Sequence, residues 1–588
     1  MQRQKCFGLC VAAMSAVSLA GPINPPTGPV ASTPGPEPRV AINGVNTPGD
    51  AECVFRITQS GSYYFAGNLT GVSGKSGIVV AAPYVTIDMN GFSLIGVPIT
   101  STHGIRIDNV PAVAQSTFTL LNGTIRAWGQ RAVFSDDLSR VCRIERVNAI
   151  GCVIGFSVIS AVFEECNASK NSGNGFILNG AATLSGCIAQ SNTSHGFRSA
   201  GLGPVVFSKC LSRGNSESGL ELGASNSTVE DSIVTGNGVY GISVFGNSLI
   251  RGNTVENNAI RGITVFDGRS LIEANRVTGG EIGIGLDVSG QRMIGNDVRA
   301  ASVSNYDVQG DNHEIDLLIT QLPAVVGFPC AISLAGTLTG VSGQHGIAVS
   351  ADNVTIDLGG HALVGAAGSL SGIHASVGVK GLAVRNGTAR DWGRSGIDAG
   401  AATGARFSDL VLSGNGGANV FPAAGLVMGS NAIVSDCIAN GNLGSVSIPG
   451  FLGTDGNTIT NCRSDGNAGD GFSLRFGNRI ESCSARANNG DGIETAAGGF
   501  VLNCHLDSNG NGANVGANIF VTDGASRIEG NSCIGGDFGI RVAGGGNVIV
   551  KNSSRGSANN YGGIVGGNDV GPIGSAAAAT SPWANIQY

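Results

Sequence analysis

Short alternating triplets of apolar and polar residues, most of them opened by glycine, recur along this chain at a nearly fixed interval. Between residues 170 and 290 the steps are Gly175-Phe176, Gly196-Phe197, Gly219-Leu220, Gly241-Ile242, Gly262-Ile263 and Gly283-Ile284, spaced 21, 23, 22, 21 and 21 residues apart. Leu220-Glu221-Leu222, Ile242-Ser243-Val244 and Ile263-Thr264-Val265 alternate with period two, which predicts strands with one buried face. The second half repeats the step at Gly450-Phe451, Gly471-Phe472, Gly492-Ile493, Asn518-Ile519, Gly539-Ile540 and Gly563-Ile564. Its spacings are 21, 21, 26, 21 and 24, and the longer coils predict loop insertions. Helical repeats are excluded by the glycine content and the missing 3.6-residue period. The Leu-x-x-Leu-x-Leu frame of leucine-rich repeats is also missing.

A coil of about 22 residues holding two or three short strands predicts a parallel β-helix, its coils stacked ~4.8 Å apart. Stacking turns like residues into columns. Asn171, Asn192, Asn215, Asn237 and Asn258 fall in one, beside the turn, where asparagine tolerates left-handed backbone and bridges coils through its amide. Cys166, Cys187 and Cys210 each precede their glycine by nine residues, Ser232 takes the next place, and Cys462 and Cys483 repeat the offset. Buried thiols filling the core are the reading favoured; disulfides between neighbouring coils and a metal are the alternatives.

A larger duplication overlies the coils. Residues 67–96 and 336–365 match at a constant offset of 269, with 18 of 30 positions identical. The expected organisation is a signal peptide over 1–20, a Pro-rich extended segment over 21–50, a first β-helix over 51–300, a junction over 301–329, a second β-helix over 330–575 and a tail over 576–588. The signal reading rests on Arg3 and Lys5 ahead of an apolar run from Cys6 to Ala20 that ends in Ser18-Leu19-Ala20. No later apolar run reaches the length of a membrane span. The chain is therefore expected to be secreted, periplasmic or at the cell surface.

Composition narrows the partners. The chain has 95 glycines in 588 residues and 42% hydrophobic residues, enough to bury a core. Its net charge is −7 and it has no basic run, so nucleic acid loses the phosphate neutralisation that drives its binding.

Val85-Thr86-Ile87-Asp88-Met89-Asn90-Gly91 and its second copy, Val354 to Gly360 with Gly359 in place of asparagine, resemble an early-coil motif of secreted bacterial right-handed parallel β-helix proteins of the pectin lyase-like fold. The resemblance spans roughly residues 52 to 575. It implies an all-β fold of two tandem right-handed parallel β-helices, a solenoid of about 21–23 residues per coil. It does not fix an activity, because that superfamily holds lyases, hydrolases, epimerases, tailspikes and non-enzymatic surface proteins.

Lyases of this fold set acidic residues on neighbouring coils to hold calcium, with Arg or Lys as base. One charged constellation fits that description. The column two residues before the cysteine position reads Glu164, Ser185, Ser208, Glu230, Arg251, Ile272, and the next carries Glu165, Lys209, Asp231 and Glu273. Lys209, Glu230, Asp231, Arg251 and Glu273 would gather if the chain bends between the columns, and a mixed-charge surface ladder is the reading favoured over catalysis. Trp128 and Trp392, at duplicated positions, are candidates for stacking on a sugar, against packing in a cap. Asp136-Asp137 reads as a solvated loop, and Gly469-Asp470-Gly471 and Gly490-Asp491-Gly492 as one turn repeated. Seven scattered histidines and the absence of paired Cys/His spacing predict no metal site, and no cofactor is implied, apart from calcium if the chain is a lyase.

The leading functional reading is a non-catalytic protein that binds polysaccharide or another cell-envelope component. A polysaccharide lyase or glycoside hydrolase is the alternative, and a structural, adhesin-like spacer a third.

Overall fold

The computed structural model describes residues 39–109, 116–201, 203–310, 313–418, 422–444, 447–510, 516–564 and 566–588. The expected signal peptide over 1–20 and most of the segment over 21–50 lie outside the described residues. The fold is all-β, a parallel solenoid in which every coil pairs with the next.

Each regular coil carries three strands. Ala182–Ser185, Ile188–Gln190 and Phe197–Ser199 make one such coil, and the corresponding strands of the next are Val205–Ser208, Leu211–Arg213 and Leu220–Leu222. The first two strand positions build one 42-stranded ladder, in which long bent strands such as Arg140–Ile150 span both. The third position builds a separate face, in a 12-stranded sheet in the first half and an 11-stranded sheet in the second.

The corners explain the columns. At the first corner a residue with left-handed φ, such as Lys209 (55°) or Asp231 (50°), precedes the cysteine position. The inward residue there accepts a backbone N–H from the coil before: Cys210 N–H donates to Ser232 Oγ (3.0 Å), Ser232 N–H to Asn253 Oδ1 (2.9 Å) and Asn253 N–H to Asn275 Oδ1 (3.0 Å). The cysteine column is thus the lower part of a polar ladder that turns to serine and then asparagine. Among the described residues twelve cysteines are free and buried. Burial raises the Cys142 and Cys330 thiols to about 12, which keeps them protonated. The second corner carries the predicted asparagine column: Asn171 Nδ2 donates to Asn192 Oδ1 (2.9 Å), and Asn192 Nδ2 to Asn215 Oδ1 (2.9 Å). From Asn171 to Asn258 each buried amide of this column is satisfied by its neighbour, as interior polar groups generally are.

Between the corners the core is a stack of like side chains. Phe156, Phe176 and Phe197 lie face to face at 4.8 and 4.7 Å, and Phe451 and Phe472 at 4.8 Å. Trp128 and Trp392 belong to this core, at 1% and 0% exposure. Their indole N–H groups donate to the carbonyls of Leu94 (3.3 Å) and Leu363 (3.1 Å). A Cβ at Gly77 or Gly346 would come within 2.8 Å of these rings, so glycine is needed there for close approach. This corrects the expectation of a sugar-stacking surface tryptophan at either position: a fully covered ring has no face to offer a ligand.

The junction interrupts one face only. The ladder continues through Arg292–Arg299, Glu314–Ile319 and Ala331–Leu334, with Met293 opposite Ile315 and Leu317 opposite Ile332. On the third face, Ser304–Val308 ends the first sheet and Ala324–Val326 begins the second. A cavity of about 260 Å³, lined by Ser304, Tyr306, Thr320, Gln321 and Val326, separates them.

Candidate functional site

On the third face the strand triplets place their first and last residues inward and the middle one outward, so the middle residues form a surface lane. In the second half this lane runs Leu452, Ser473, Glu494, Phe520, Arg541 on successive coils. The residues just before the strand glycines, Asp470 and Asp491, stand beside it at the turn. Asp470, Asp491 and Glu494 converge, each offering an oxygen within 4.8 Å of the other two. The cluster is half-buried and anchored: Asp491 N–H donates to Asp470 Oδ1 (2.8 Å), Ala517 N–H to Asp491 Oδ1 (2.5 Å) and Ser473 Oγ–H to Glu494 Oε2 (3.2 Å). Burial, and then the neighbouring Asp470 charge, push the Asp491 and Glu494 carboxyls up to about 7. Burial raises Asp470 as well. At neutral pH the three groups share protons rather than carry three full charges.

One and two coils farther on, the lane turns aromatic and cationic. The Arg541 guanidinium lies over the rings of Phe520 (4.7 Å to the centroid) and Phe538 (5.4 Å). Carboxylates, a hydroxyl, aromatic faces and a guanidinium thus follow one another along a rigid surface.

The five residues singled out in the first half come together differently from the sequence register. Glu273, not Ile272, stands opposite Arg251; Ile272 pairs with Ile250 in the core. The coil from Arg251 is 22 residues long, and counting 21 slips the column by one place. The bend required between Glu230 and Asp231 exists, because Lys209 and Asp231 are the left-handed corner residues and so also point outward. Arg251 sits between Glu230 (3.3 Å) and Glu273 (3.6 Å), half-exposed. Among the described residues no aromatic side chain adjoins these ion pairs in the ladder register. Arg251→Ala is therefore expected to change stability by less than about 1 kcal/mol, as for other exposed pairs. A denaturation midpoint shifted by several times that would identify Arg251 as a structural keystone instead.

Asp137 is corrected outright. Asp136 is exposed, but Asp137 is 2% exposed and faces the buried Arg140 guanidinium at 3.2 Å, with Ser139 donating to it from its N–H (2.8 Å) and Oγ–H (2.6 Å). The dipeptide is half surface, half core. The histidines are less scattered in space than in sequence: His345 stacks on His374 at 4.2 Å, and His374 Nδ1 lies 3.2 Å from Asp398, all along the third face.

The sequence held a signal for the carboxylate cluster in two Gly-Asp-Gly turns 21 residues apart with Glu494 three residues after the second aspartate. Reading them as turns was right for the backbone and left out the side chains.

A family model described as a right-handed β-helix region matches residues 136–282 and 371–518, together half of the chain. The chain belongs to the right-handed β-helix family. No curated protein matches it. Among solved structures this β-helix protein is similar to the A-module of a mannuronan C-5 epimerase of Azotobacter vinelandii, at 16% identity over 56% of this chain and 84% of that one, with a TM-score of 0.19. It is also similar to a PL6-family alginate lyase, at 10% identity over 92% and 97% with a TM-score of 0.18. PfbA, a surface adhesin of Streptococcus pneumoniae, aligns at 10% identity over 69% and 82% with a TM-score of 0.15. Among the described residues no helix is long and apolar enough to cross a membrane.

Proposed function

We propose that this is an exported, non-catalytic carbohydrate-binding β-helix whose contact surface is the third face, with the lane from Asp470 to Arg541 at its centre. The observation that carries this reading is the lane itself. Hydrogen-bonding carboxylates and a hydroxyl lie beside partly exposed phenyl rings and an arginine, and stacked coils fix them at about 4.8 Å intervals. A sugar chain needs apolar ring faces to stack on and polar groups to meet its hydroxyls, and both are preorganised here.

Calcium is the cation that Asp470, Asp491 and Glu494 would hold. Their donor set is all oxygen, and their mutual separation of up to 4.8 Å suits oxygens placed at about 2.3–2.6 Å around one ion. Because ligands must be deprotonated, binding would release protons held near pH 7. Calcium is expected to raise the melting temperature more at pH 8 than at pH 6, and not at all in Asp491→Asn/Glu494→Gln. The carbohydrate reading is tested on a glycan array with calcium: binding that falls in Phe520→Ala supports it. An array with no signal above background would leave the spacer reading in place.

Cleavage is the second reading, favoured by one feature, that burial pushes the Asp491 and Glu494 carboxyls up to about 7, the range in which general acids and bases work. Against it, the oxygens of Asp470, Asp491 and Glu494 lie within 4.8 Å of one another instead of standing the ~5–9.5 Å apart that flanking a glycosidic bond requires. Incubation with acidic polysaccharides is expected to release no unsaturated uronide, with or without calcium; release that disappears in Glu494→Gln would install the cleavage reading.

A further inference from the structure

The duplicated opening, residues 67–96 and 336–365, gives both halves a common starting point from which third-face strands can be counted. Ile78 and Ile347, equivalent in the duplicated opening, lie on the second strand of each third-face sheet. Counting on, Glu494 lies on the eighth strand of its sheet, Ile493–Thr495. The eighth strand of the first sheet is Leu220–Leu222, and its outward residue is also a glutamate, Glu221. Asp470, just before the seventh strand of the second sheet, corresponds to His195 in the first.

These first-half residues also converge. His195 Nε2 lies 2.8 Å from Glu217 and 3.1 Å from Glu221. Its Nδ1 accepts the backbone N–H of Ser218 (3.3 Å), so the neutral ring carries its proton on Nε2 and donates it to the glutamates. Ser194 Oγ–H donates to Glu217 (2.7 Å), and Arg198 Nε–H to Glu221 (2.9 Å). One and two coils farther along come aromatic rings, as in the second half. Phe266 packs against Tyr240 (5.5 Å) and Phe245 (4.9 Å), and Phe245 is 44% exposed. Arg261, opposite Tyr240 in the ladder, is tied to Asp287 and Asp307 at 2.8 Å each.

We infer that the first half carries a second carbohydrate site at the same coil level, with the His195–Glu217–Glu221 cluster and the Tyr240–Phe245–Phe266 rings as its polar and stacking halves. This rests on the carbohydrate reading of the second half and adds to it a stoichiometry and a difference in chemistry. In the second half three carboxylates face one another and call for a cation. In the first, the imidazole N–H and the Arg198 guanidinium already sit among the carboxylates, so the site works without one. The two sites stand twelve strand positions apart on the third face, roughly 58 Å at about 4.8 Å per coil, so a long polymer can engage both and gain avidity.

Calorimetric titration of the whole protein with a galacturonate hexasaccharide and with cellohexaose, in calcium and in chelator, tests this. For the saccharide that binds, two sites per chain are expected in calcium and one in chelator. Glu494→Gln should leave one site in either buffer. Glu221→Gln, with an unchanged melting temperature, should leave one site in calcium and none in chelator. A wild-type protein with a single site that Glu494→Gln abolishes and Glu221→Gln leaves intact would overturn the second site while keeping the function proposed above. No binding of either saccharide in either buffer would overturn that function, and the second site with it.

Discussion

Exchanging Asp491 for asparagine and Glu494 for glutamine is expected to stabilise the protein at pH 8, by on the order of 2–4 kcal/mol, and to change little at pH 5. The folded carboxyls keep their protons up to about pH 7, whereas ordinary carboxylates lose them near pH 4. Between those values the folded chain binds more protons than the unfolded one, so stability is fully present at low pH and drains away as pH rises through about 7. Above that pH the wild type confines ionised carboxylates against one another. Every tenfold gain in proton affinity on folding then costs about 1.4 kcal/mol, before solvent screening reduces it. The amide replacements resemble the protonated acids in shape and never ionise. Melting curves between pH 5 and 8 check this: the wild type should lose stability across the range while the double variant stays nearly level. Parallel curves for the two proteins would mean that the three acids do not compete for charge. The same electrostatic cost is what a bound cation would relieve, so a site that weakens the fold at neutral pH is the one suited to a ligand.

Asp137→Ala is expected to destabilise the first half by about 3–5 kcal/mol. Both partners of the Asp137–Arg140 pair are buried, at 1% and 0% side-chain exposure, and burial already depresses the Arg140 guanidinium below its usual pKa. Removing the aspartate leaves a cation in the interior without its counter-charge, which costs far more than the pair contributes. The sign of the effect separates this from packing loss. Asp137→Ala combined with Arg140→Met should recover most of the stability, because an apolar side chain of similar length then fills the space and no charge is stranded. Denaturant titrations of the two variants give the comparison. If the single variant costs no more than about 1 kcal/mol, the guanidinium has found water or another acceptor.

What could be read from the sequence was whatever repeats. The glycine steps and alternating triplets gave the coil length, and the asparagine and cysteine columns fell where like residues stack. Their chemistry needed the structure: Cys483, Ser232 and Asn253 hold equivalent corner places because thiol, hydroxyl and amide can each accept the same backbone N–H. Reading failed where a coil gained one residue, as at Ile272 and Glu273, since a solenoid column is a running sum of coil lengths. It failed also at single events. Nothing periodic marks Asp137 as buried beside Arg140, and the 21-residue spacing that stacks Asp470 beside Asp491 does not show that their carboxylates converge with Glu494. Trp128 and Trp392 stood out because they are duplicated, and duplication here preserves a core contact with glycine as faithfully as it would a binding residue.

In a linear array, cooperativity passes only from each unit to its immediate neighbours, so the array is as cooperative as its weakest link. That link is at the junction, where the strand Glu314–Ile319 joins Arg292–Arg299 to Ala331–Leu334 while the third face lies open around its cavity. An unfolding front started at either end meets thinner coupling there and is expected to stall. The gap would then act as a firebreak: damage or thermal loss in one half would be contained, and the other half would keep its coils in register.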